Sequence, residues 1–371
     1  MIKILIVDDS AVETRLFKHF LESQPDMCVV AFAKDGAEAI EMARRHSPDL
    51  ITMDLEMPVM DGHTATRLIM AQCPAPIVVI SSKLNETSKD MTYLALEAGA
   101  VSVLAKPVNN SPDALEAFGS QLIDTVRSMA EIKVIKRRFD KPLSSKKTSV
   151  FPGVIHTPGS FEIIGMGASI GGPEVLKKII SHLPPTFPVP IVIVQHMTAG
   201  FMSGFTRWLD IDSPLTVKNV EHGEVLKKGV IYFAPDHVHF TVERTQKGLT
   251  AKLVEGNPVS GFCPSITVLL QSIAETSKNK GLGILLTGMG SDGAEGLLAL
   301  KKEGGHTLVQ DKKSCVVFGM GNVAQSMGAV NEVVPLHQIA QYLIKMTHQK
   351  QDKASLASRS QRLPKEQGRS K

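Results

Sequence analysis

The chain has no apolar run approaching the ~20 residues that a membrane-spanning helix needs, which argues against an integral membrane protein. It has only four cysteines, Cys28, Cys73, Cys263 and Cys315, far apart and without metal-type pairs. That spacing speaks against a disulfide scaffold or a cysteine zinc module and fits a reducing, cytoplasmic setting. The N-terminus, Met1 to Asp9, reads as a strand ending in acids and lacks the sections of a signal peptide. No internal repeat is visible. The folded regions also lack a basic excess. Residues 131–150 carry +5 and residues 345–371 carry +6, so a total of +4 leaves −7 for everything else. The basic charge therefore sits in a connection and a tail, which argues against a DNA-reading surface and for no nucleic-acid partner.

What is present is enough for two domains: 371 residues, 43% of them hydrophobic. Apolar runs recur at 2–7, 28–33, 49–53, 77–80 and 101–104, with helical periodicity between them, as in Ala11 to Leu21 and Gly36 to Arg45. A last helix runs from about Pro112 to Arg127. Short strands alternating with helices predict an α/β domain with a doubly wound parallel sheet over residues 1–127. Residues 128–159 are rich in Lys, Arg, Ser and Pro and read as a flexible linker. A second α/β pattern occupies 160–347, with apolar runs at 161–166, 190–195, 230–233, 282–287, 306–309 and 332–335. Within it, 215–255 reads as an antiparallel hairpin insert. Residues 348–371 are polar and basic and read as a disordered tail.

In the first domain the strand ends carry the chemistry. Asp8 and Asp9 follow the first strand, Asp54 the third, Ser81 the fourth and Lys106 the fifth. In an open parallel sheet the carboxyl ends of the strands share one rim, so these groups meet. Crowded carboxylates call for a cation, and a hard, oxygen-preferring ion such as Mg²⁺ suits them. Asp54 can attack a phosphoryl group, Lys106 can pair with it, and Ser81 can offer a hydroxyl. Any one of these residues alone would read as a solvated loop acid or base. The set resembles the response-regulator receiver family over roughly residues 1–125. The resemblance implies Asp54 as phosphoacceptor, Asp8, Asp9, Asp54 and the Glu56 carbonyl as Mg²⁺ ligands, Ser81 and Lys106 as the switch pair, and a histidine kinase as phosphodonor.

In the second domain, Gly167-Ala168-Ser169-Ile170-Gly171-Gly172 follows a strand and precedes a helix, which places a serine on a sharp turn with its hydroxyl exposed. The adjacent helix N-terminus favours developing negative charge. His196 follows the next strand and Asp292 follows the strand at 282–287, so nucleophile, base and orienting carboxylate all fall at strand ends. Taken singly, Ser169 and Asp292 would pass as helix caps and His196 as a hydrated loop residue. A dinucleotide site is the weaker reading of the same glycines, because Ile170 stands where a third glycine is needed. His237 and His239 share one strand face but lack a third zinc ligand.

Gly-Ala-Ser-x-Gly-Gly, Gln195-His196-Met197, Ala234 to His239, Leu286 to Ala294 and Ser314 to Met320 resemble the catalytic domain of the chemotaxis protein-glutamate methylesterases, the CheB family, over about residues 160–345. The resemblance implies Ser169 as nucleophile, His196 as base, Asp292 as its orienter and the Met289 N–H as an oxyanion donor, with no cofactor in that site. It implies methylated chemoreceptor cytoplasmic domains as substrate, met at the membrane only through those receptors, and deamidation of receptor glutamines by the same path. The receiver is expected to cover the site until Asp54 is phosphorylated. The chain departs from the family pattern at Ile170, Thr198, Met202, Cys263-Pro264-Ser265-Ile266-Thr267 and Gly321, which bears on substrate fit. A receiver-controlled adaptor and, further off, a DNA-binding regulator are the competing classes.

Overall fold

The computed structural model describes residues 1–81, 86–107, 109, 111–132, 134 and 161–347. The expected tail and nearly all of the expected linker lie outside the described residues.

The first domain runs β1 (Ile2–Val7), α1 (Ala11–Glu22), β2 (Met27–Ala33), α2 (Gly36–His46), β3 (Leu50–Met53), α3 (Gly62–Gln72), β4 (Ile77–Ser81), α4 (Glu86–Ala98), β5 (Ser102–Ala105) and α5 (Pro112–Ala130). The five strands are parallel in the order β2-β1-β3-β4-β5. Every residue of β3 and β4 is buried, as helices on both faces require. Helix starts are set by polar caps: Ser10, Asp35, Asp61 and Ser111 each accept a backbone N–H from the first turn. The helix α5 continues three residues past the expected Arg127.

The second domain runs β6 (Ile163–Ala168), α6 (Gly172–Ile180), β7 (Ile191–Gln195), α7 (Met202–Ile211), β8 (Thr216–Asn219), β9 (Val230–Phe233), β10 (His239–Thr245), β11 (Gly248–Val254), α8 (Ile266–Ser277), β12 (Gly281–Leu285), α9 (Ala294–Lys302), β13 (His306–Gln310), α10 (Gly319–Ser326), β14 (Glu332–Val334) and α11 (Leu336–Thr347). Its parallel sheet has the order β14-β13-β12-β6-β7-β9-β8. β10 and β11 form a separate antiparallel hairpin. The expected insert is therefore shorter than 215–255: Thr216–Asn219 pairs parallel with β9 and is the edge strand of the main sheet.

Both sheets reverse direction once. In the first, β1 lies between β2 and β3; in the second, β6 lies between β7 and β12. Connections leaving in opposite directions open a crevice at the carboxyl ends of those central strands, where α/β proteins bind ligands.

The two domains pack against each other. Tyr93 of α4 is fully buried, its ring 6.0 Å from Phe205 and 5.9 Å from Trp208 of α7. Its hydroxyl donates to the Phe201 carbonyl at 2.6 Å. Lys177 of α6 pairs with Glu97 of α4 at 2.9 Å and lies 4.3 Å from the Trp208 ring centre. The Thr198 hydroxyl donates to the Val103 carbonyl on β5 at 2.5 Å. As an edge strand, β5 has carbonyls without a sheet partner, and the second domain covers one of them.

Candidate active site

Ser169, His196 and Asp292 follow β6, β7 and β12, three adjacent strands of one sheet. Ser169 sits in a turn stitched to its neighbours. Its N–H donates to the Thr287 carbonyl at 3.0 Å, and its carbonyl accepts from Gly172 N at 2.8 Å and from Gln195 Nε2 at 2.9 Å. Gly171 closes the turn at φ 76°, a backbone region that a side chain would strain. Gly288 presses on the other side, where a Cβ would lie 2.7 Å from the Ser169 Cβ. The loop 287–290 thus backs onto the serine, with Met289 partly exposed beside it.

His196 Nε2 lies 3.0 Å from Asp292 Oδ2, within ion-pair reach though not aligned as a hydrogen bond. Nδ1 is buried without a partner, so no hydrogen bond joins it to Ser169 in this conformation. Asp292 is 1% exposed and saturated: Ser265 Oγ donates at 2.8 Å, Ile266 N at 2.7 Å and Thr267 N at 3.0 Å. Burial opposes its charge, yet the imidazole and the two N–H groups hold its carboxyl below the usual range. The capping role considered for Asp292 is thus real but directed elsewhere. It serves the start of α8, while α9 begins at Gly293 with no side-chain cap. A cavity of about 410 Å³ opens on this rim, lined by Ser169, His196 and Met289 from one domain and by Val101, Ser102 and Met129 from the other.

In the first domain, Lys106 Nζ lies 2.8 Å from Asp54, 3.3 Å from Asp8 and 2.5 Å from Glu13. One carboxylate oxygen from each of Asp8, Glu13 and Asp54 falls within 4.8 Å of the others. Burial, opposed by Lys106, pushes the Asp8 carboxyl up to about 7, and burial likewise raises Asp54. Burial works against the Lys106 charge, but Asp54, Glu13 and Asp8 together raise its ammonium above the ordinary value. Ser81 is 2% exposed, while Asp9 and Glu56 are exposed at the rim. Hard oxygen donors crowded to this degree, two of them buried and Glu13 half-buried, fit a divalent cation.

Residues 164–343 match the CheB methylesterase family and residues 4–117 match the response regulator receiver domain family. The chain is 42% identical, over 93% of its length and 98% of the relative's, to protein-glutamate methylesterase/protein-glutamine glutaminase 1 of Syntrophus aciditrophicus. It is 40% identical to a protein of the same description, numbered 2, in Methanospirillum hungatei JF-1, over 95% of this chain and 100% of that one. The chain belongs to the CheB methylesterase family.

Several residues of this CheB-family site escape sequence reasoning. Gln195 ties the Ser169 and His196 loops together, its amide donating to both of their carbonyls. The sequence marked it only as the polar end of an apolar strand and as the neighbour of His196 in the Gln195-His196-Met197 stretch, not as a bridge. Glu13 joins the acid cluster from the first turn of α1, and the Ser10-x-x-Glu13 spacing of a capped helix start could have placed it there. Ser265 to Thr267 act through the start of α8 by bonding Asp292, whereas the sequence marked this stretch only as a departure bearing on substrate fit. The departures from the family pattern divide in two. Thr198 and Ile170 face the receiver, the latter packed against its core. Met202 is buried in its own domain, and Thr267 accepts a hydrogen bond from Gly293 N at 2.7 Å. His239 is held by Ser265 N and the Asn257 carbonyl, at 3.2 and 3.0 Å. His237, at φ 66°, lines the cavity.

Proposed function

We propose that the chain is a phosphorylation-controlled protein-glutamate methylesterase of chemotaxis, with Ser169 as nucleophile, His196 as base and Asp292 as the carboxylate that orients it. The observation that carries this is the 3.0 Å approach of His196 to a buried, fully bonded Asp292, with Ser169 and His196 on the same cavity wall. With Nε2 directed to Asp292, Nδ1 is the nitrogen left to take the Ser169 proton. Bonds of this kind are often open in substrate-free sites and close around substrate. The Ser169 oxygen attacks the ester carbonyl of a methylated receptor glutamate, and the oxyanion meets the Met289 N–H and the start of α6. Imidazolium returns the proton to the departing methoxide, methanol leaves, and water cleaves the acyl-serine by the reverse proton path. A receptor glutamine follows the same route with ammonia as leaving group.

Control rests with the receiver. Its Asp54 takes a phosphoryl group from the phosphohistidine of a partner kinase, and Lys106 pairs with the new dianion while Ser81 offers its hydroxyl. Asp8, Asp9, Asp54 and the Glu56 carbonyl would hold Mg²⁺, which neutralises the crowded oxygens when bound. Unphosphorylated, the receiver stands over the cavity and leaves no room for a receptor helix. Charge added at the end of β5 and around Ser81 loosens the contacts made by α4 and by Val103. A DNA-binding output is not favoured, since the second domain matches the esterase family. A catalytically silent adaptor is disfavoured by the same match. Among the described residues no helix is long and apolar enough to cross a membrane.

Ser169→Ala should abolish methanol release from methylated chemoreceptor membranes while circular dichroism and Tm stay those of the parent. Retained release would remove Ser169 from its role.

A further inference from the structure

One short segment touches two members of the triad at once. Val259 and Phe262 exchange backbone hydrogen bonds, both 3.0 Å, around Ser260 at φ 53° and Gly261 at φ 83°. This tight turn delivers the Phe262 ring onto the imidazole of His196, with ring centres 3.7 Å apart and planes within 5° of parallel. Three residues further on, Ser265 donates to Asp292, followed by the Ile266 and Thr267 N–H groups. The segment therefore grips the imidazole by its face and the carboxylate by its oxygens, and sets the 3.0 Å contact between them.

The stacking geometry carries a chemical preference. Two neutral aromatic rings avoid full face-to-face overlap and take offset or edge-on arrangements. A cation over a ring face is attracted by the ring quadrupole. The imidazole turns cationic in the reaction when it takes the serine proton, and only then does full overlap become favourable. Phe262 is half-buried and lines the cavity, so filling the core is not what places it there.

We propose that Phe262 is a positioning residue of the esterase: its flat face holds the His196 ring in the plane that presents Nε2 to Asp292 and leaves Nδ1 free, and it stabilises the imidazolium formed as Ser169 is deprotonated. This rests on the triad assigned above. The role differs from that of the oxyanion donors, because Phe262 acts on the base and not on the substrate. It needs an aromatic face, which an aliphatic group of similar size lacks.

The test uses the full chain with a phosphodonor and methylated chemoreceptor membranes, reading kcat and KM for methanol release together with Tm. Phe262→Leu keeps apolar bulk and removes the face; Phe262→Tyr keeps the face. The expected result is a kcat lowered about tenfold in Phe262→Leu, with KM and Tm close to the parent and kcat largely retained in Phe262→Tyr. An unchanged kcat in Phe262→Leu, an equal fall in both variants, or a kcat that merely follows Tm would overturn the role. Ser169→Ala measured alongside separates the two levels. If it is inactive while Phe262→Leu matches the parent, only the Phe262 inference falls. If it is active, the triad falls and takes the Phe262 role with it.

Discussion

Ser169 is an ordinary hydroxyl made useful by its neighbours. Gly171 allows the left-handed turn beneath it, Gly288 lets the loop 287–290 come within van der Waals reach, and Gln195 locks its carbonyl to that of His196. These glycines and the strand ends around them made Ser169, His196 and Asp292 readable as candidates. Phe262 was not readable in that way, because stacking leaves no spacing pattern behind, and Gln195 was readable only as the neighbour of His196, without its bridging role. Asp54 is the matching residue to test in the receiver. Asp54→Asn keeps the shape of the side chain but forms no acyl phosphate. It should take no label from a phosphorylated kinase and leave methanol release at the unphosphorylated level, whereas the parent responds to both.

At the level of elements, the start of α8 is where the fold and the proposed triad share a group. Asp292 accepts two N–H groups there, and Ser265 accepts a third from Val268 at 3.4 Å. Removing the carboxylate leaves the Ser265 hydroxyl and the Ile266 and Thr267 N–H groups without their acceptor, so Asp292→Ala should lower stability by about 2 kcal/mol as well as stop turnover. Because its carboxyl is held below the usual range in the fold, its contribution is present above the unfolded value near ~4 and lost as pH falls through the lower folded value. Thermal melts of parent and Asp292→Ala should therefore differ most at neutral pH and converge in strong acid. Element by element, the first domain was the more legible, since polar N-caps and apolar runs mark nearly every boundary. α7 and α10 had no such marks. Each starts without a side-chain cap, at Phe201 and Phe318, and each carries an internal glycine, Gly204 or Gly321. β8 has only one buried residue, Val217, so its apolar signal was too weak to separate it from the hairpin.

For the whole molecule, the contact between domains is the proposed control on access to the rim. Tyr93 is its most specific member, a buried ring whose hydroxyl satisfies the Phe201 carbonyl. Tyr93→Phe keeps the packing and removes this bond across the interface, leaving the carbonyl to the Phe205 N–H alone, a change of about 1 kcal/mol against docking. Methanol release without phosphodonor should rise severalfold, and the further gain on adding phosphodonor should shrink. Unchanged release in both conditions would show that this bond does not hold the receiver in place. Much about the protein was written in its linear order: two parallel α/β units, acids and a lysine at the strand ends of one, and a serine, a histidine and an aspartate at those of the other. Strand-end chemistry is local, and short-range patterns of apolar residues and glycines are enough to express it. Tertiary structure alone decided that β12, β6 and β7 are neighbours, that Asp292 is held by α8, that Phe262 lies on His196 and that Tyr93 closes over α7. Each of those joins residues far apart in the chain through packing and hydrogen bonds, and only the folded sheet order determines which distant groups meet.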